Sequence, residues 1–284
     1  MRILSFHAAY ACRHSGACCS AGWIEPLADG VCRHFDAHGA GRCTVHRAHG
    51  HDALPHACQQ FPRVATLSPL GTSVTLSAFC PTAASLLFDD AAFTIETRDD
   101  PRAYEGLDAR GVMPPLLRGG MLMDWESVAC WEELTVATLS DHRQDVECAL
   151  AIIEDASADV CETWTPAEGL LSDALEGAFR ARASGASVAT PSRDRRRDRS
   201  LARPQSGGAE DAPDVQASSA AKARYFASHA FACWPMYDGR GIPGAIDWLL
   251  KLRTALDEER RSQSLLDACR QTDLRLRHAV TSHP

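Results

Sequence analysis

Residues 12–19 read CRHSGACC, and this stretch decides how the N-terminal part of the chain folds because it places Cys12, Cys18 and Cys19 in one short loop. Thiols at this density are either oxidised to disulfides or bound to metal. Residues 1–12, MRILSFHAAYAC, lack the apolar run of about 7 to 15 residues that a secretory signal peptide needs. We therefore expect a cytoplasmic protein, in which reduced thiols favour metal binding over disulfides.

The composition is that of an ordinary globular protein and argues against two classes of partner. The 284 residues are 45% hydrophobic and 23% charged, which suffices for one large domain or two small ones. A formal net charge of -8 gives no overall attraction to nucleic acid or to acidic membrane surfaces. No stretch approaches the roughly 18 apolar residues of a membrane span. We expect neither nucleic acid nor a membrane as a partner.

Seven of the twelve cysteines lie within the first 80 residues and are the candidate metal ligands. They are Cys12, Cys18, Cys19, Cys32, Cys43, Cys58 and Cys80. Tetrahedral zinc and a 4Fe-4S cluster each take about four ligands, so these thiols are enough for either. Their spacing matches neither a zinc finger nor a ferredoxin, and zinc and an iron-sulfur cluster both remain open. His46 and His56 are candidate nitrogen ligands.

The residue pattern predicts a mainly α-helical fold with a small irregular β part, in which a metal-bound cysteine-cluster region packs on a helical body. Residues 64–79, VATLSPLGTSVTLSAF, carry β-branched residues on both sides of a Pro-Leu-Gly turn and predict a hairpin. A helix is expected from Pro81. From about residue 115 the apolar spacing predicts a series of longer helices.

Changes in composition divide the chain into four parts. Residues 1–90 form the cysteine-cluster region, and residues 91–183 and 221–284 form the helical body. Residues 184–220 have almost no large apolar side chains and cannot offset their ordering entropy, so we expect a disordered insertion there. The five cysteines outside the first region are isolated and are expected to be small core residues.

Five cysteine-bearing segments occur in a characteristic order: CRHSGACC, CRHF at Cys32, GRCTVH, LPHACQQFPR and SAFCPTAASLLF. In this order, over about residues 6–90, the chain resembles the YkgJ-type cysteine-cluster family, described as zinc- or iron-chelating. ACQQFPR resembles that family's Cys-x-x-aromatic-Pro-Arg signature, and FCPTAA resembles the Cys-Pro element of its flagellin lysine N-methylase branch. Ser15 departs from the family, whose opening often has a cysteine at that point.

The resemblance implies two alternative functions. The first is binding of a metal or iron-sulfur cluster in a structural or electron-carrying role. The second is S-adenosylmethionine-dependent N-methylation of a lysine in a protein substrate, although no GxGxxG motif follows a strand. If the chain is an enzyme, we expect such a methyltransferase or an iron-sulfur oxidoreductase.

Three residues are candidates for contact with a cofactor. The guanidinium of Arg63, in the FPR sequence, would face the negative charge of a thiolate-rich site. Asp238 and Arg240 lie in the glycine-rich turn WPMYDGRGIPG and would grip a ligand there. No catalytic residue can be assigned from the sequence.

Overall fold

The computed structural model describes residues 1–13, 16, 19, 31–36, 42–185 and 212–278, with side chains in the last range from residue 217 to residue 277. Cys18 and most of the predicted insertion, residues 186–211, lie outside the described residues. The described part is mainly α-helical with a small mixed sheet, as the sequence predicts.

The strands in the described part of the chain are short and lie between residues 2 and 122. They are β1 (Arg2–Leu4), β2 (Phe35–Asp36), β3 (Arg42–Cys43), β4 (Arg63–Ser68), β5 (Gly71–Leu76), β6 (Ile95–Thr97), β7 (Gly106–Asp108), β8 (Leu116–Arg118) and β9 (Met121–Leu122). The main sheet has the order β6-β1-β5-β4-β7, with β1 parallel to β5 and β4 parallel to β7. It extends to β7, so the predicted boundary at residue 90 does not coincide with an end of the sheet.

The hairpin predicted for residues 64–79 is confirmed as β4 and β5. Its antiparallel register runs from Ser68 opposite Gly71 to Arg63 opposite Leu76. Gly71 has φ +102°, a value that glycine adopts without the steric cost of a Cβ. Ala65, Val74 and Leu76 on one face and Thr66, Ser73 and Thr75 on the other are buried, so the hairpin is covered on both sides. Leu76 ends β5 close to Cys80, which brings that cysteine back beside the start of β4.

The α-helices for which the described residues give bounds are numbered in chain order. They are α1 (Thr44–His49), α2 (His56–Gln60), α3 (Pro81–Ser85), α4 (Trp125–Asp141), α5 (Val146–Thr163), α6 (Leu171–Ala183), α7 (Ala212–Ala230), α8 (Gly241–Arg260) and α9 (Leu265–Asp273). The helix predicted from Pro81 is confirmed as α3, and α8 and α9 are among the helices predicted after residue 115.

The prediction of helix from about residue 115 is wrong for its first ten residues. Residues 116–122 instead form the β8–β9 hairpin, so Met121 lies in a strand. Helix α4 begins only at Trp125, where the Asp124 carboxylate accepts a hydrogen bond from the amide of Ser127 at 2.7 Å. This capping bond satisfies an amide that has no partner within the helix, and it fixes the helix start.

Helix α7 begins inside the predicted insertion. Its first residue is Ala212, and Ala220 is already buried at 2% exposure. The alanine- and serine-rich sequence before residue 221 lacks large apolar residues, but small side chains allow a helix to pack closely. Helix α7 therefore overlaps the last nine residues of the predicted insertion, 212–220.

Helices α4 to α9 enclose the main hydrophobic core, together with residues from β1 and the segment after β5. Trp131 at its centre is fully buried, and its indole donates a hydrogen bond to the Ser157 hydroxyl at 3.0 Å. Among the described helices, none combines the length and the apolarity needed to cross a bilayer.

Candidate metal centre

Five of the seven predicted ligand cysteines line one cavity of about 430 Å³, here called the thiol cavity. They are Cys12, Cys19, Cys43, Cys58 and Cys80. They come from different loops and helix starts, so the tertiary fold brings them together.

Short local elements place these cysteines at the cavity wall. Cys43 and Cys80 are each the last extended residue before a helix, α1 and α3 respectively. Cys58 lies within α2. The amide of Cys19 donates to the carbonyl of Gly16 at 3.0 Å, in a turn where Gly16 has φ +72°.

The segment before Cys80 is held by the C-terminal helix α9. The carboxylate of Asp273 is fully buried, and its Oδ2 accepts hydrogen bonds from the Ala78 amide at 2.6 Å and the Ser77 hydroxyl at 3.0 Å. Arg270 donates from Nε to the carbonyl of Phe79 at 3.2 Å. Helix α9 therefore fixes the backbone that leads to Cys80.

Tyr10 connects one cavity thiol to a cationic side chain. Its Oη lies 3.7 Å from Sγ of Cys80, and the guanidinium of Arg63 lies over its ring, 5.3 Å from the ring centre. Burial, and then the neighbouring thiols of Cys80 and Cys12, raise the pKa of Tyr10 well above its ordinary value. The phenol thus stays protonated and can donate a hydrogen bond to a thiolate at Cys80.

The donor chemistry fits a metal that prefers sulfur, because thiolates are the usual ligands of zinc and of iron-sulfur clusters. The side chains do not by themselves form a coordination sphere: across the described part of the chain, no three Cys, His, Asp or Glu groups are placed to hold an ion. Cys18 lies outside the described residues. Zinc or a cluster at this site would require the thiols to draw closer, or ligands from outside the described residues, such as Cys18.

Cys32 is placed differently from the other predicted ligands. It is buried at 6% exposure and is not among the residues that line the cavity. Its amide donates to the carbonyl of Cys19 at 2.9 Å, so it supports the backbone of a lining cysteine.

The two candidate histidines differ in their position relative to the thiol cavity. His46 lines the cavity, with its ring centre 5.9 Å from that of His51, which lines the cavity as well. His56 is outside the lining, and its Nδ1 lies 3.3 Å from a carboxylate oxygen of Glu105.

Of the three predicted cofactor contacts, only Arg63 reaches the thiol cavity. Arg240 instead forms ion pairs with Asp238 at 3.1 Å and with Asp247 at 3.1 Å on the protein surface. The following residue, Gly241, has φ +62°, and a Cβ there would lie 1.7 Å from the carbonyl oxygen of Leu116. The glycine-rich turn therefore packs α8 closely against β8.

Of the five isolated cysteines, Cys233 and Cys269 lie in the hydrophobic core, Cys130 and Cys161 pack against it, and Cys148 is partly buried outside it. Cys233 and Cys269 are buried, and burial raises the pKa of both thiols. Burial also raises the pKa of Cys130 to about 11 and that of Cys161 to about 11. Such thiols stay protonated at neutral pH and are poor nucleophiles and poor metal ligands.

Tyr10, Asp273 and Arg270 are site residues that sequence reasoning missed. Tyr10 lies two residues before Cys12, which is the one local signal that could have drawn attention to it. Asp273 and Arg270 are distant in sequence from the cysteines, and a single sequence carries no sign of contacts over 190 residues.

No protein-family model, no curated protein and no solved structure matches this chain.

Proposed function

We propose that the chain binds a metal centre, either an iron-sulfur cluster or zinc, through the cysteines of the thiol cavity. The observation that carries this proposal is that five of seven N-terminal cysteines line one cavity, although they are scattered along the sequence. The isolated cysteines of the helical body instead lie apart from that cavity. This division supports a ligand role for the first group and a packing role for the second.

Cys80 is buried, as Cys233 and Cys269 are, but its sulfur lies beside a group that can donate a hydrogen bond. Cys80 packs in a small apolar cluster with Leu76 and Ala83, beside the phenol of Tyr10. A hydrogen-bond donor and a nearby guanidinium both stabilise a thiolate. When bound, a cluster would supply one-electron transfer, whereas zinc would stabilise the N-terminal fold.

Metal and acid-labile sulfide analysis of anaerobically purified protein tests the proposal. We expect iron with sulfide, or tightly held zinc, in the wild-type protein and a marked loss in Cys58→Ser and in Cys80→Ser. Cys148→Ser is the matched control, because Cys148 lies in α5 and outside the cavity lining. Metal-free wild-type protein that remains folded would refute the proposal, as would equal metal loss in the control.

The lysine N-methylation implied by the resemblance remains a prediction. Binding of S-adenosylmethionine to the metal-loaded protein, measured by equilibrium dialysis, is the first test of it.

A further inference from the structure

We propose that the thiol cavity also binds a small oxyanion, the carboxylate or phosphate group of a small molecule, with Arg63 as its main contact and Arg42 as a second. This goes beyond the metal centre and does not depend on it.

The charges around the cavity are the first observation. Besides the cysteines, the lining contains four arginines and two histidines, and the lining residues that the structure describes include no aspartate or glutamate. They are Arg42, Arg47, Arg63, Arg102, His46 and His51. The whole chain has a formal net charge of -8, so the positive charge of the cavity lining is opposite in sign to the net charge of the chain. Such local concentration of one sign attracts the opposite charge.

The four arginines of the lining differ in whether they form an ion pair with a carboxylate. Arg47 forms an ion pair with Asp36 at 2.9 Å, and Arg102 forms one with Asp100 at 2.6 Å. Neither Arg42 nor Arg63 is paired with a carboxylate of any residue that the structure describes. The unneutralised positive charge in the described lining therefore lies on Arg42 and Arg63.

Arg63 is in a favourable position to contact a ligand. It is partly buried at the start of β4, and its guanidinium lies 5.3 Å from the centre of the Tyr10 ring. A cation contacts an aromatic ring over the ring face. The N–H groups at the edge of the Arg63 guanidinium therefore remain available to donate hydrogen bonds to a ligand. The planar fork of these donors matches the two oxygens of a carboxylate or a phosphate.

The size of the cavity is the second observation. Its volume of about 430 Å³ is within the range of about 300 to 1,000 Å³ that is typical of small-molecule sites. A metal ion held by thiolates at about 2.3 Å occupies only part of such a space. The cavity therefore has room for an organic anion or a phosphate beside the thiols.

Calorimetric titration of the full chain with inorganic phosphate and, separately, with succinate tests the proposal at constant ionic strength. We expect one saturable site for at least one of these anions, weakened about tenfold or more by Arg63→Gln. Arg98→Gln is the control, because Arg98 pairs with Glu96 on β6 and is not in the cavity lining. Binding of phosphate but not succinate would identify a phosphate ligand, and the reverse would identify a carboxylate.

The absence of saturable binding for both anions would overturn the proposal, as would unchanged affinity in Arg63→Gln. If Arg63→Gln does not fold, as judged by circular dichroism, Arg42→Gln serves as the second variant and is expected to weaken binding less strongly. An unchanged affinity in Arg42→Gln would then overturn the proposal. The metal content of the same preparations reports on the metal centre alone, so the two proposals fail separately.

Discussion

Asp273 and Ala78 are 195 residues apart in sequence, and the carboxylate of the first accepts the amide hydrogen of the second at 2.6 Å in a fully buried setting. Ala78 precedes Cys80 by two residues. The C-terminal helix α9 therefore positions a thiol of the N-terminal cavity, and the helical body is part of the site's support.

Replacing Asp273 by Asn is expected to lower the free energy of unfolding by about 3 kcal/mol or more. The carboxylate also accepts hydrogen bonds from Tyr225 Oη at 2.9 Å and His229 Nε2 at 2.8 Å, and an amide cannot accept at both of its ends. Urea denaturation measures the change. Asp267→Asn is the control, because its side chain is 47% exposed, and it should cost less than about 1 kcal/mol. Equal losses in the two variants would contradict this account of Asp273.

Glu132 and Glu133 provide a second matched comparison. Glu132 is buried, accepts from Arg2 at 2.8 Å and accepts from the Ala232 amide at 2.9 Å, whereas Glu133 is 65% exposed and lies 3.9 Å from Arg2. Glu132→Gln leaves the buried guanidinium of Arg2 without its close counter-charge, so we expect a loss of about 3 kcal/mol in stability. Glu133→Gln should change stability by less than about 0.5 kcal/mol. A small effect of both substitutions in denaturant titrations would show that the buried pair is not stabilising.

Stability should fall as the pH is lowered below 6.5, because two buried histidines resist protonation. Burial, and then Arg277, lower the pKa of His7 to about 3 and also lower that of His229. The unfolded chain takes up protons on these residues near pH 6.5, while the folded chain does not. For His7 the expected loss approaches about 1.4 kcal/mol per pH unit and continues down to a pH of about 3, and His229 adds a loss of the same sign.

Denaturant titrations between pH 7 and about pH 5 check this dependence. His7→Phe should reduce the slope and leave the smaller dependence that comes from His229, since one of the two histidines is removed. His49→Gln, at an exposed position in α1, should leave the slope unchanged. Stability that does not vary over this interval would contradict the burial of neutral imidazoles.

The cysteines of the helical body should react slowly with iodoacetamide at neutral pH. With a pKa of about 11, Cys130 and Cys161 are almost entirely protonated, and only the thiolate reacts. We expect alkylation of these two residues to be about a hundredfold slower in the native protein than in urea. Mass spectrometry of digested samples gives the rates residue by residue. Similar rates in both conditions would show that these thiols are not protected by the fold.

Local sequence patterns predicted the secondary-structure elements that are marked by turn residues or by a proline at a helix start. Pro-Leu-Gly between β-branched residues gave the β4–β5 hairpin, and Pro81 marked the start of α3. Met121 was misassigned because its apolar spacing continues that of α4, whereas the Gly119-Gly120 turn and pairing with β8 place it in a strand.

The candidate site could be predicted in its residue types but not in its geometry. The density of cysteines identified the segment, yet only the fold separates Cys32, which lies outside the cavity lining, from the five lining cysteines. The support from Asp273 and the contact between Tyr10 and Cys80 depend on long-range packing, which no local pattern encodes.

X-ray absorption spectroscopy at the edge of the bound metal, on anaerobically purified full-length protein, tests the central claim most directly. If the cavity cysteines hold the metal, the nearest shell contains mainly sulfur at about 2.3 Å and loses sulfur in Cys58→Ser. A nearest shell of oxygen and nitrogen alone, or a protein without metal, would contradict the account.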